Sequence, residues 1–247
     1  MYKRVSNGKT FARLALAASL LTLAAGGAAF AQDDEFESGW TGIYGTIGGG
    51  YGSWTANTHT VSPTNGNCVL CTAQSQGGSG GFGTFGLGYD RQIDEHFVAG
   101  VFSDADFGHV GGTIQDQTPL LAGQVSEDKA WTAGGRLGWL VTPGILPYVD
   151  AGYTRGYFGG AKMINTSTGM NSGFSTPSFS QGGWFVGIGA EANVAPQLFL
   201  RGEYRVSQFG TETIPDSNGT TNADNIAIHP QEQTFRVSLV YKIPEGF

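Results

Sequence analysis

Charge is scarce in this chain. Of its 247 residues, 13% are Asp, Glu, Lys or Arg, about half the ~25% of an ordinary soluble domain. That scarcity excludes a charge-rich disordered tail. Long apolar runs are scarce too. Beyond the first 31 residues no segment approaches the ~20 consecutive apolar residues that a transmembrane helix needs. Mean hydropathy is −0.12, so any membrane role must come from patterning rather than bulk. A strict three-residue glycine period is missing, which excludes collagen. What the chain has in excess is glycine: 41 residues, about one in six. Glycine at that density weakens every turn of a helical bundle. The length suits one all-β domain or barrel.

The N-terminus reads as an export signal. Lys3, Arg4, Lys9 and Arg13 form a positive lead, Leu14 to Ala25 an apolar run too short to span a bilayer, and Ala29-Phe30-Ala31 a small-x-small cleavage site. Residues 1–31 are therefore expected to be removed, leaving 32–247 as the barrel domain, with Asp33 to Glu37 as a periplasmic lead-in. Cleavage lowers Lys+Arg from 13 to 9 while Asp+Glu stays at 20, for a net charge of −11. An exported, acidic protein lacks the basic face that nucleic acid requires.

Eight stretches of the mature chain alternate with the period of a β-strand. They lie near 41–52, 82–90, 97–107, 131–141, 147–155, 183–194, 198–206 and 234–243. Ile43, Ile47 and Tyr51 share one face; Trp131, Ala133, Leu137, Trp139 and Val141 share another, opposite Thr132, Gly134, Arg136 and Gly138. Long polar stretches near 54–79, 108–128, 160–181 and 211–231 alternate with short turns near 90–96, 142–146 and 195–197. An even strand count with long loops on one side and short turns on the other predicts an all-β fold: an eight-stranded antiparallel transmembrane β-barrel of the outer membrane. A soluble barrel would bury the apolar face and expose the charged one, and alternation alone does not say which face points outward.

In the membrane reading, the inward parity carries five cations, Arg136, Arg201, Arg205, Arg236 and Lys242, and five anions, Asp104, Asp106, Asp150, Glu191 and Glu203. Eight strands leave an interior only wide enough for side chains. Equal numbers of opposite charges then imply a paired network that fills the lumen. On the other face, Trp131 and Trp139 are eight residues apart, roughly 20 Å along the axis of a tilted strand. That places one in each interfacial girdle, with Tyr51 and Trp184 joining the outer ring and Tyr89 and Tyr241 the inner.

Other motifs carry less. Gly81-x-Gly83-x-x-Gly86 spells a dinucleotide fingerprint, but Leu87-Gly88-Tyr89 continues a strand where a helix is required. Gly77-x-Ser79-x-Gly81 lacks the strand–turn–helix of a nucleophile elbow. Ser103 and His109 form the nearest serine–histidine pair, without an evident orienting carboxylate, and no catalytic residue is assigned. Cys68-x-x-Cys71 reads as a local disulfide in an exported loop, with a metal site borrowing His59 as the alternative. Asn165-Thr166-Ser167 and Asn218-Gly219-Thr220 read as plain loop residues.

Trp40-Thr41-Gly42-Ile43-Tyr44-Gly45 with the glycines 48–50 and Tyr51 resembles the opening strand of small alphaproteobacterial outer-membrane proteins, the porin-like or opacity-type surface antigens. Gly135-Arg136-Leu137-Gly138-Trp139 with Leu146-Pro147-Tyr148-Val149 is similar to that family's central hairpin. Gly183-Trp184 through Glu191, with Arg201-Gly202-Glu203-Tyr204, is similar to its third. The resemblance implies an eight-stranded barrel at the cell surface, often an abundant antigen, with some relatives linked to haem binding and some to envelope integrity. One departure is the C-terminus, where Pro244-Glu245-Gly246-Phe247 follows Ile243 and the proline interrupts the strand that the barrel-insertion machinery would engage. The expected role is structural and interactive, with outer-membrane lipids as the surroundings, no cofactor, and an unidentified extracellular partner. A small porin, or a barrel binding haem or another small solute, is the runner-up, and a lipid-modifying enzyme is a remote third.

Overall fold

The computed structural model describes residues 39–116, 120–215, 217 and 225–243, and within its strands it leaves out the side chains at 70–75 and 116. The export signal, the second Asn-x-Thr site and the C-terminal Pro244 to Phe247 lie outside the described residues. Eleven strands follow in order: β1 (Gly42–Val61), β2 (Cys68–Gln92), β3 (Phe97–Asp116), β4 (Leu121–Trp139), β5 (Ile145–Phe158), β6 (Lys162–Asn165), β7 (Asn171–Ser175), β8 (Phe179–Ala195), β9 (Leu198–Phe209), β10 (Glu212–Ile214) and β11 (Asn225–Ile243). Eight of them close a ring. Each of β1 to β4 pairs antiparallel with its successor, β5 passes to β8, β8 to β9 and β9 to β11, and β11 returns to β1. Closure removes every sheet edge among these strands, which is what a bilayer demands of a β-structure.

The connections at one end are tight. Asp94 accepts hydrogen bonds from the backbone N–H of His96 and Phe97, both at 2.8 Å. These donors hold its carboxyl below the usual carboxylate range. The β8–β9 turn places Gln197 at φ +62°, and its carbonyl accepts the Lys242 N–H at 2.9 Å.

At the other end the strands run on through stretches expected to be loops. β1 continues to Val61 and β2 begins at Cys68, so residues 62–67 alone connect them, instead of 54–79. The expected loop at 108–128 shrinks to the few residues between Asp116 and Leu121, and β11 begins at Asn225 rather than near 234. β6, β7 and β10 fill much of the remaining two. A 20-residue strand such as β1 rises roughly 50 Å along the axis at the usual tilt, about twice the ~25 Å apolar band of an outer-membrane barrel. The barrel therefore stands well clear of the bilayer.

The cause is an inversion of the alternation partway along each long strand. In the lower part of β1 the outward residues are Ile43, Ile47 and Tyr51, all exposed. Above Tyr51 the outward set becomes Ser53, Thr55 and Asn57, while Trp54 and Ala56 turn inward and are buried. β11 switches at the paired position, Phe235 opposite Tyr51, with Ile226 and Ile228 inward above it. Below the switch the outer face of the wall is apolar, as contact with lipid requires. Above it the outside meets water and the inside forms an apolar core of Trp54, Val110, Ile114, Leu121, Met163 and Ile214, among others. Polar residues on the outer face made these stretches look like loops; they are the solvated walls of a second, soluble-style barrel segment.

Candidate functional site

The lumen is filled from bottom to top. At its lower end Trp40, 1% exposed, donates its indole N–H to the Pro143 carbonyl at 2.9 Å and packs against Phe199 with ring centroids 4.8 Å apart. Tyr44, Val98, Leu140, Leu146 and Val240 complete this apolar floor.

A charged cluster lies on that floor. Glu191 Oε2 accepts from Arg136 Nη1 and Arg201 Nη2, each at 2.8 Å, and Lys242 Nζ stands 3.3 Å from Glu191 Oε1. Arg136 Nε and Lys242 Nζ each reach Asp90 at 2.8 Å. A second Arg136 nitrogen also contacts Asp90. The rings of Tyr44 and Tyr148 lie under the Arg136 and Arg201 guanidiniums, at 5.0 to 5.8 Å. Fully desolvated ions are tolerable only with this degree of pairing.

The other cluster centres on Arg205. Its Nη2 lies 2.7 Å from Glu203, 3.1 Å from Asp150 and 3.2 Å from Asp104. Arg236 reaches Asp106 at 3.1 Å and Glu203 at 3.5 Å. Tyr148 donates its hydroxyl to Glu203 at 2.7 Å, and the Phe185 ring lies 4.4 Å from the Arg205 guanidinium carbon. Glycines make the room. A Cβ at Gly86 would collide with the Asp104 carboxylate, and one at Gly187 with that of Asp150.

All ten charged residues assigned to the lumen thus turn inward into two ion-pair clusters. The balance of five against five does not hold, because the structure turns three further acids inward: Asp90, Glu127 and Glu232, all buried. Asp90 lies within β2, at the point where the sequence pattern passes from the strand near 82–90 into the turn near 90–96. Glu127 falls in the stretch expected to be the loop near 108–128, and Glu232 between the expected loop near 211–231 and the strand near 234–243. The floor residues Trp40 and Tyr44 also escaped, although an aromatic on the small and polar face of the first strand was the available signal.

Glu127 and Glu232 meet above the Arg205 cluster, on the extracellular side of the girdle residues Trp131 and Phe235, outside the spanning part of β4 and β11. The Glu127 oxygens have no hydrogen-bond donor among the described residues. Burial raises both carboxyls above the usual range, reinforced at Glu127 by the charge of Glu232 and at Glu232 by that of Asp106. Beside them a cavity of about 20 Å³ holds about one water.

The six girdle aromatics, Tyr51, Tyr89, Trp131, Trp139, Trp184 and Tyr241, all lie exposed on the outer wall. Trp131 packs on Tyr153 at 5.5 Å and Trp139 on Phe97 at 4.6 Å. Ser103 donates to the Thr132 carbonyl at 3.0 Å, whereas the imidazole of His109 stands 3.8 Å from Asp128; neither contact links the serine to the histidine. Cys68 is disulfide-bonded, and the side chain of Cys71, the chain's other cysteine, is outside the described residues.

Comparison with known proteins agrees with this architecture. Residues 16–242 match the family described as the outer membrane protein beta-barrel domain. The chain is 26% identical over 235 residues to the 31 kDa outer-membrane immunogenic protein of Brucella melitensis, covering 94% of this chain and 95% of that one. It is 27% identical over 203 residues to the 25 kDa outer-membrane immunogenic protein of the same organism, covering 82% and 79%. Among solved structures, the outer membrane protein OprG of Pseudomonas aeruginosa shares the fold, with a TM-score of 0.57 at 12% identity over 85% of this chain and 99% of that one.

Proposed function

Because the chain belongs to the outer membrane protein beta-barrel domain family, we propose that it serves as a structural and interacting surface protein whose lumen is closed to solutes. The protein resides in the outer membrane, with lipid around its apolar belt. The extracellular segment of the barrel is the part offered to partners outside the cell, and the C-terminal strand is the part offered to the insertion machinery. No step of chemistry is assigned to it.

One observation carries the closed-lumen reading: Arg205 spans the interior from β9, with Asp104 of β3 and Asp150 of β5 both within 3.2 Å of its Nη2. A side chain that reaches across to two other walls occupies the path a solute would take. The apolar floor beneath it and the apolar core above support the same reading. A narrow pore would instead keep its charges solvated and spaced around an open axis.

Planar-bilayer recording of the refolded protein tests this. Silence is expected, both for the natural chain and for Glu203→Ala. Steady, charge-selective conductance that Glu203→Ala alters reproducibly would overturn the closed lumen in favour of a small porin.

A further inference from the structure

The mature chain has nine cations, and five of them are spent inside the lumen. Of the remaining four, Arg91, Lys129, Arg155 and Lys162, two sit side by side on the outer wall. Register places Lys129 of β4 opposite Tyr157 of β5, and Trp131 opposite Arg155; Tyr157 in turn lies opposite Ser180 of β8. Lys129 Nζ stands 5.0 Å from the Tyr157 ring centroid, and the Arg155 guanidinium carbon 5.8 Å from it. Arg155 also donates to Ser180 Oγ at 3.0 Å. One aromatic ring thus holds both cations over a common patch.

These two differ from the lumen cations in one respect. Neither has a carboxylate within 4 Å among the described residues, whereas all five lumen cations are paired. Asp128, the nearest acid in the chain, turns its Oδ1 to the Ser126 hydroxyl at 2.6 Å. Next to Lys129 and Tyr157 the wall is indented by a cleft of about 370 Å³, which Asp128, Ser178 and Ser180 also line. That volume admits a small polar headgroup.

The height is informative. Trp131 lies level with Arg155, its partner in the register, and packs on Tyr153 one outward position lower, with Trp184 paired to Tyr153 beside them. Interfacial aromatics mark the level of the lipid headgroups. The unpaired cations therefore stand where the phosphates of the outer leaflet are, above a wall of Ala133, Gly135 and Ala151 that is smooth enough for acyl chains.

We propose that Lys129, Arg155, Tyr157 and Ser180 form a binding site for the phosphate group of a phosphorylated glycolipid of the outer leaflet. Arg155 and Lys129 supply charge-assisted donors, Ser180 a neutral hydroxyl, and the cleft the space for sugar. A protein with a net charge of −11 once residues 1–31 are removed would otherwise repel an anionic leaflet, and these two cations reverse that locally. The site uses the outer wall, so its fate is independent of whether the lumen conducts.

The test is native mass spectrometry of the refolded full-length mature protein in detergent, titrated with a bis-phosphorylated glycolipid and with the same lipid after phosphatase treatment. Retention of the phosphorylated lipid is expected, with at least about tenfold weaker binding for the dephosphorylated form and for Lys129→Ala/Arg155→Ala, as loss of charged hydrogen bonds implies. Lys162→Ala is the control and should bind normally. Heat-modifiable gel migration verifies that each variant is folded, and Arg155→Gln replaces the double variant if that fails. Equal retention by the cation variants, equal binding of the dephosphorylated lipid, or displacement by inorganic phosphate at matching concentration would each overturn the assignment.

Discussion

Arg205 and Asp104 are 101 residues apart in the chain, yet Nη2 of one lies 3.2 Å from Oδ2 of the other. The pair joins β9 to β3 through the middle of the barrel, between strands that share no hydrogen bonds. Tyr148 and Glu203 make a similar link from β5 to β9. Such contacts tie down the register of the ring, because slipping one strand by a residue would turn its charge out into lipid.

Glu203 is ion-paired with both Arg205 and Arg236 and accepts the Tyr148 hydroxyl. Glu203→Ala leaves two buried guanidiniums short of a partner and is expected to cost about 3–5 kcal/mol. Urea unfolding of the protein in lipid vesicles measures it. A loss under 1 kcal/mol would show that the clusters re-pair around the gap.

Leu137 and Gly138 separate the two faces of the wall. Leu137→Arg sets a charge in the apolar belt and should cost about 2–4 kcal/mol. Gly138→Ala points inward, where its Cβ would stand 2.7 Å from the buried side chain of Leu146, and overpacking of this kind costs about 1–3 kcal/mol. Gly135→Ala is the outward control, meeting nothing closer than 3.6 Å, and should be neutral or slightly stabilising. If Gly135→Ala proved as costly as Gly138→Ala, or costlier, the assignment of inside and outside on β4 would fail.

The buried carboxyls of Glu127 and Glu232 make the extracellular segment sensitive to pH. Both carboxyls are raised above their unfolded values, Glu232 to about 7. Their contribution is therefore fully present below the ordinary glutamate range and lost as pH rises through about 7. Trp54 lies opposite Glu232 in the register. Its emission and the hydrogen exchange of upper β11 should report a tighter segment at pH 5 than at pH 8.5. Glu232→Gln should flatten that difference, and an unchanged pH profile in the variant would remove the pair as its source.

We propose that Cys68 and Cys71 bridge each other at the tip of the β1–β2 hairpin. Intact cells should then resist thiol labelling until a reductant is added, while heat-modifiable migration stays the same with and without reductant. Prompt labelling of untreated cells would refute the bridge.

The sequence by itself determined the wall below the girdle. A period of two is visible in one dimension, so Ile43, Ile47 and Tyr51 declare an outward face, and Arg201, Glu203 and Arg205 an inward one, without reference to any other strand. The even strand number and the short turns follow from the same local pattern. Only the tertiary structure decided how high the walls go and what meets what inside. Trp54 and Ile228 obey the same period as their neighbours below, but with the apolar phase reversed, and that reversal makes sense only once the strand has left the bilayer at a particular height. The partners of Arg205 come from strands far apart in sequence, and parity alone names the face of a residue and not its neighbour across the lumen. Asp90 and Glu232 join the interior by the same alternation, once β2 and β11 run further than the local pattern showed, and Glu127 does so beside the register shift in β4.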